Sequence, residues 1–138
     1  MTASEGADHQ VQAISSDEDV VRVRQLVRVA AVAAKLSLVD QTKVVTAASE
    51  LARNTLVYGG GGRAEVSRVA NGLRNGVRIV FSDSGPGIAD VDLALTDGYT
   101  TGGGMGLGLS GARRLVDEFR LDTTVGAGTT VAVVKWAR

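Results

Sequence analysis

The order of helical and extended patterns predicts an α+β fold: a two-layer α/β sandwich with a mixed, mostly antiparallel sheet and about three helices on one face. The first observation behind this prediction is that helical patterns are grouped between runs of adjacent strand patterns, whereas a doubly wound α/β domain would alternate them. The second is composition, because 44% hydrophobic and 22% charged residues are typical of a globular domain. We therefore expect a flexible lead at residues 1–10 and a single domain over residues 11–138.

The first segment of the domain predicts an edge strand followed by a helix. Residues 11–15 alternate weakly between apolar and polar side chains, which favours a short strand. Ser16 and Asp19 have the spacing of a capping box, and a helix with one apolar face is predicted from there to about Lys35. The arginines on its polar face have two interpretations, a solvated surface or a surface that docks a partner.

A second helix is predicted from Asp40, an acceptable N-cap, to about Val57, where a run of four glycines must end it. Its buried stripe is predicted to contain Val44, Ala47, Ala48, Leu51 and Thr55. On the neighbouring face Glu50 and Asn54 lie one turn apart, so a carboxylate and an amide project side by side. Taken alone, such a pair is also common on a solvated helix face.

The middle of the chain predicts a hairpin. Residues 63–69 and 77–81 supply its two strands, with turn signals between them at residues 71–76. Asp83 then lies where the second strand leaves the sheet. A helical turn or two at residues 89–95 precedes a polar, glycine-rich segment at residues 96–104, which is predicted to be a mobile lid.

The last part of the chain predicts a third helix and two closing strands. The helix is expected from Met105 or Gly106 to about Phe119. Residues 119–125 and 129–136 read as strands around a glycine-containing turn, and the second of them is rich in β-branched residues.

Glycines at alternate positions stand directly before the third helix, at Gly104, Gly106 and Gly108. Backbone N–H groups at a helix start favour an anion, so this pattern is compatible with phosphate binding. The sequence has no GxxxxGK[ST] motif, which excludes a P-loop, and no βαβ unit that would support a dinucleotide fold. A lone glycine run is equally compatible with a flexible loop.

Composition excludes several kinds of chemistry. The chain has no cysteine and a single histidine, His9, so disulfides, thiolate metal sites, histidine triads and zinc sites are not expected. Fifteen basic and fifteen acidic residues give no net field that would favour nucleic acid. Since no apolar stretch reaches about 18 residues, we expect no membrane association and a cytoplasmic protein.

Four motifs occur in a fixed order: Ser49–Asn54, Asp83–Ile88, Gly104–Leu109 and Gly128–Thr129. Together they resemble the N box, the two glycine boxes and the final Gly-Thr of the GHKL, or Bergerat-fold, ATP-binding family. Within it the chain is similar to the RsbT-type serine/threonine switch kinases of bacterial stress signalling. That narrower resemblance rests on four further segments, which are Val39–Gln41, Asp97–Thr101, Arg114–Phe119 and Lys135–Arg138. It covers residues 11–138.

The resemblance implies ATP and Mg²⁺ as cofactors and a role for each site residue. Glu50 would be the base that orients and deprotonates the attacking hydroxyl, and Asn54 would bind Mg²⁺. Asp83 would accept a hydrogen bond from the adenine amino group. The other implied ATP-binding residues are Gly85, Gly87, Ile88, Thr100, Thr101, Gly104, Gly106, Leu107, Gly108, Leu109 and Thr129. The lid offers no lysine or arginine, so Mg²⁺ and backbone are expected to neutralise the transferred phosphate.

The implied function is phosphorylation of a serine or threonine on a STAS-domain antagonist, with binding and activation of a downstream phosphatase in a partner-switching stress pathway. An anti-sigma factor that mainly sequesters a sigma factor shares every nucleotide motif and is the alternative. A nucleotide-binding module without turnover is a third reading, and a homodimer is compatible with all of them.

Overall fold

The computed structural model describes residues 9–96 and 108–138, which form five strands and four helices. The strands are β1 (His9–Ile14), β2 (Gly62–Asn71), β3 (Arg74–Asp83), β4 (Glu118–Thr124) and β5 (Gly128–Trp136). The helices are α1 (Asp17–Ala33), α2 (Leu38–Val57), α3 (Val91–Ala94) and α4 (Gly108–Arg114). Most of the predicted lid, including Thr100, Thr101 and Gly104, lies outside the described residues, as do Gly106 and Leu107 of the second glycine box.

The strands form one sheet in the order β1-β2-β3-β5-β4, and each of these pairs is antiparallel. Side chains alternate between the two faces of a strand, and one face of this sheet is covered by the helices. That face supplies core residues such as Ala64, Ile79, Phe81 and Val133, whereas Arg78 on the other face is exposed. The α+β, two-layer prediction is confirmed.

Both long helices begin at a serine cap. Ser16 Oγ accepts a hydrogen bond from the Asp19 N–H at 3.3 Å, so the predicted start of α1 is confirmed. The predicted N-cap of α2 is wrong, because Ser37 occupies that position and its Oγ accepts from the Asp40 N–H at 3.1 Å. Asp40 is buried in the first turn of α2 instead.

Two boundaries in the second half also differ from prediction. The hairpin turn is only Gly72-Leu73, because Asn71 already pairs with Arg74 and Gly72 adopts a positive φ of 62°. The third helix ends at Arg114, and Phe119 lies in β4 opposite Val133. Apolar residues at positions 115, 116 and 119 fit a helix face, but Phe119 pairs with Val133 in the sheet and packs beside the core.

Four charged side chains tie the end of β5 to α2 and to the segment after α4. We call this group, formed by Asp40, Asp117, Lys135 and Arg138, the C-terminal clasp. Lys135 Nζ lies 3.6 Å from Asp40 Oδ1 and 3.5 Å from Asp117 Oδ1. Arg138 contacts the same two carboxylates from the surface. The Trp136 backbone N–H donates to Asp117 Oδ2 at 2.7 Å.

The clasp makes the stability of the fold depend on pH in the acidic range. Burial raises the pKa of Asp117, but the Trp136 N–H and the charges of Lys135 and Arg138 outweigh it, so the pKa lies below its usual value of 3.8. The ionised carboxylate therefore stabilises the fold above the unfolded pKa, and this contribution is lost as the pH falls through the lowered folded pKa.

We expect Asp117→Asn to lower the free energy of unfolding at pH 7 by about 1.5–3 kcal/mol, the usual value of hydrogen bonds to a charged group. The variant should also lose less stability than the wild type as the pH falls below about 4. Urea unfolding at a series of pH values measures both effects. If the free energy of unfolding falls equally in the two proteins as the pH is lowered below about 4, this assignment is contradicted.

Candidate functional site

The first part of the site is carried by α2. Its stripe of Val44, Ala47, Ala48, Leu51 and Thr55 is buried, as predicted. Because Glu50 and Asn54 flank this stripe one turn apart, both side chains stand half-buried at its edge. Glu50 Oε2 accepts a hydrogen bond from the Gly108 N–H at a donor–acceptor distance of 3.4 Å. The fold thus brings the first residue of α4 to the Glu50 carboxylate.

The second part is the turn after β3. Asp83 ends the strand, and its Oδ1 accepts a hydrogen bond from the Gly85 N–H at 2.9 Å. The Asp83 carboxyl packs on Gly59 at the end of α2, where an added Cβ would come within 2.4 Å of the Asp83 Cγ. Gly85 also packs on the Gly59 backbone, with room for no side chain. Two glycines therefore permit the ends of α2 and β3 to approach.

The third part is the turn between β4 and β5. Thr123 Oγ1 accepts from the Ile88 N–H at 2.9 Å, lies 2.9 Å from Thr129 Oγ1 and donates to the Gly128 carbonyl at 3.2 Å. Gly128 has a φ of 111°, and a Cβ there would lie 2.1 Å from the Asp83 carbonyl oxygen. Thr129 pairs directly with Asp83 across β3 and β5. This network fixes the Asp83–Ile88 turn against β5.

An open pocket of about 290 Å³ borders the Asp83 end of this arrangement. It is lined by residues 59–63 and 82–84, so Asp83 is on its wall while Glu50 and Asn54 are not. The structure consequently holds two regions, a turn around Asp83 beside Thr129, and the α2–α4 contact at Glu50.

Two further predicted residues, Gly87 and Leu109, lie one in each of these two regions. Gly87, with a φ of 76°, packs its Cα on the Thr124 carbonyl and belongs to the Asp83 region. Leu109 is buried in the core at the start of α4, so its side chain supports the helix.

Two residues of the site were missed by the sequence reasoning. Gly59 was interpreted only as a helix terminator, although it makes the close approach to Asp83 possible. Thr123 was seen only as part of a strand, yet its hydroxyl joins Ile88, Gly128 and Thr129. The predicted turn at residues 126–128 would set Thr123 opposite Val131, whereas β4 and β5 pair around residues 125–127, which sets Thr123 opposite Thr129.

Residues 39–137 match the family model described as Histidine kinase-, DNA gyrase B-, and HSP90-like ATPase. This range includes Glu50, Asn54, Asp83 and Thr129. The chain belongs to this ATPase family. Membership implies ATP binding, and the predicted family is confirmed.

Two relatives of known identity are similar over most of their length. The serine/threonine-protein kinase RsbT of Bacillus subtilis (strain 168) is 42% identical over 125 residues, which cover 91% of this chain and 94% of that protein. The anti-sigma F factor of Clostridium novyi (strain NT) is 32% identical over 115 residues, 76% of this chain and 80% of that protein. The prediction of an enzyme of the serine/threonine protein kinase type is confirmed by the family and the RsbT relative.

The fold of this ATPase family recurs in solved structures. The crystal structure of the RsbU and RsbW domains of a Mycobacterium tuberculosis protein superposes with a TM-score of 0.61 at 20% identity. The match covers 94% of this chain but only 32% of that longer one, and it shows a shared fold. Within residues 9–96 and 108–138, no helix combines the length and apolar character needed to cross a membrane.

Proposed function

We propose that this ATPase-family member transfers the γ-phosphoryl group of ATP to a serine or threonine hydroxyl of a STAS-domain partner protein. The observation that carries the proposal is the placement of Glu50 one turn from Asn54 on α2, with its carboxylate at the start of α4. The similarity to RsbT over nearly the whole chain supports the same reaction.

Glu50 is the proposed general base. Its carboxylate takes the proton of the attacking hydroxyl as the new oxygen–phosphorus bond forms and the bond to the β–γ bridging oxygen breaks, which releases ADP. The Gly108 N–H that now donates to Glu50 is within the predicted second glycine box. A phosphate oxygen that took over this N–H would leave Glu50 free to face the hydroxyl.

Asn54 is the proposed ligand of Mg²⁺. Its amide oxygen is a hard donor of the kind Mg²⁺ accepts, and a single protein ligand suits an ion that keeps several waters and also binds phosphates. Bound there, Mg²⁺ would neutralise charge on the transferred group. Asn54 lies on the same helix face as Glu50, so the donor set fits this ion.

Asp83 and Thr129 are the proposed contacts to the adenine base. Asp83 Oδ1 is occupied by the Gly85 N–H, which leaves Oδ2 to accept from the adenine amino group. Thr129 pairs with Asp83 and is oriented by Thr123, so the two side chains sit side by side where β3 ends and β5 begins. The remaining implied residues, Gly85, Gly87, Ile88, Thr100, Thr101, Gly104, Gly106, Leu107 and Leu109, stay predictions as nucleotide contacts.

Partner switching is the proposed biological setting. The two relatives carry names of a switch kinase and of an anti-sigma factor, so interactions with other proteins are supported in general. We propose that phosphorylation of the STAS partner releases the kinase to bind and activate a serine phosphatase. Sequestration of a sigma factor is the second candidate, and the 32% identical anti-sigma F factor is the observation that favours it.

The deciding experiment incubates the chain with Mg-ATP and STAS-domain proteins encoded near its gene. Phosphoserine or phosphothreonine on one of them, absent when EDTA replaces Mg²⁺, is the expected result. Pull-downs with a phosphatase and with sigma factors then separate the two settings. Tight binding of a sigma factor with no binding of the phosphatase would favour the anti-sigma function instead.

A further inference from the structure

Helices α2 and α4 pack together and are linked at two places, near the two ends of α4. At one end the Gly108 N–H donates to Glu50 Oε2 at 3.4 Å. At the other end Lys135 Nζ lies between Asp40 and Asp117, at 3.6 and 3.5 Å. Asp40 is in the first turn of α2 and Asp117 closely follows the end of α4. The two helices therefore run in opposite directions, with one link at the site and one in the clasp.

The clasp link is formed inside the protein. The Lys135 side chain is only 5% exposed, and those of Asp40 and Asp117 are 11% and 20% exposed. Lys135 points toward the helices because it pairs with Val77, a core residue, on the buried face of the sheet. A buried ammonium between two carboxylates tolerates little displacement, since moving it away from both would leave a buried charge uncompensated.

The clasp combines three distant segments that the nucleotide motifs leave without a role: Val39–Gln41, Arg114–Phe119 and Lys135–Arg138. Asp40 precedes Glu50 by nearly three turns of α2, about 15 Å along the helix, so the clasp does not reach the reacting groups. We propose that Lys135 is a positioning residue, which holds the far end of α4 on α2 and so sets where Gly108 stands relative to Glu50. This inference rests on the proposed function, in which Glu50 is the base.

The test uses Asp40→Asn, because Lys135→Met would leave the carboxylates of Asp40 and Asp117 without their central cation. Asp40→Asn removes the α2 half of the link while Lys135 stays paired with Asp117. The matched control is Glu118→Gln, which makes the same charge change beside Asp117. The exposed Glu118 lies in β4 and accepts a hydrogen bond from the Trp136 indole N–H, which a glutamine oxygen can still accept.

We expect Asp40→Asn to lower kcat for phosphoryl transfer about tenfold or more, because a small misplacement of reacting groups is costly. Its affinity for AMP should remain that of the wild type, since the Asp83–Ile88 turn lies on neither helix. Glu118→Gln should keep both values. Loss of kcat with retained AMP binding is a pattern that general destabilisation does not produce.

The Gly108 amide gives a second readout that needs no catalysis. Its NMR chemical shift should move in Asp40→Asn in the direction seen for Glu50→Ala, and stay unchanged in Glu118→Gln. An unmoved Gly108 amide in folded Asp40→Asn, with wild-type kcat, would overturn the inference. If the wild type transfers no phosphate to any partner, the proposed function fails, and the Gly108 amide alone still decides the positioning role.

Discussion

Replacing Glu50 with glutamine is expected to lower ATP-dependent phosphoryl transfer by roughly 10²–10⁴-fold, the usual contribution of a general base. Glutamine keeps the size of the side chain and an oxygen that can accept from the Gly108 N–H, so the α2–α4 contact is retained. It cannot take up the proton of the attacking hydroxyl at neutral pH. Transfer to the partner is measured at saturating Mg-ATP, and Mg-ATP affinity by calorimetry.

The control for this experiment is Glu18→Gln, the same change at an exposed position in the first turn of α1. It should transfer phosphate at the wild-type rate. Binding of Mg-ATP by Glu50→Gln should stay within about twofold of the wild type, since the lost interaction operates only in the transition state. A variant that still transfers phosphate would remove Glu50 from the role of base, and joint loss of binding and transfer would indicate a structural role.

Local signals in the sequence predicted the elements that local interactions decide. The Ser16–Asp19 spacing gave the start of α1 because a cap is made within one turn of chain. Asp40 was misread as a cap for the opposite reason. Its position is set by Lys135 at the far end of the chain, and no pattern around Asp40 reveals that partner.

Phe119 shows a second limit of the same kind. An apolar side chain at that position satisfies the helical period of the preceding residues as well as the alternation of β4. Pairing with β5 decides that Phe119 is extended and not helical, because Phe119 lies opposite Val133 in that strand pair. Periodicity therefore predicted the existence of the elements better than their ends.

The sequence predicted which residues form the candidate site better than it predicted the contacts between them. The resemblance selected Glu50, Asn54, Asp83 and Thr129 from their motifs, and the fold places Asp83 beside Thr129. The resemblance could not predict the contact between Glu50 and Gly108, because two segments far apart in the chain meet there. Gly59 was missed because its role is an absence of side chain, visible only when the ends of α2 and β3 are seen together.

Asp83→Asn is expected to weaken ATP binding by roughly 10–100-fold, the value of one hydrogen bond to a charged acceptor. The carboxylate can accept from two donors at once, the Gly85 N–H at Oδ1 and the adenine amino group at Oδ2. An asparagine amide has one oxygen and one NH₂ group. Whichever way it is turned, one donor then faces another donor.

The same argument predicts a change in base preference. Guanine carries a carbonyl oxygen where adenine carries the amino group, so the carboxylate of Asp83 repels it and an asparagine NH₂ can donate to it. Competition titrations with ATP and GTP should show a smaller ratio of ATP affinity to GTP affinity in Asp83→Asn than in the wild type. The ratio should be unchanged in Ser84→Ala, a substitution of the exposed neighbouring side chain. Unchanged ATP affinity together with an unchanged ATP-to-GTP ratio would show that the base does not bind at Asp83. A fall in ATP affinity with a constant ratio would assign Asp83 to holding the turn through Gly85, which separates recognition of the base from the shape of its pocket.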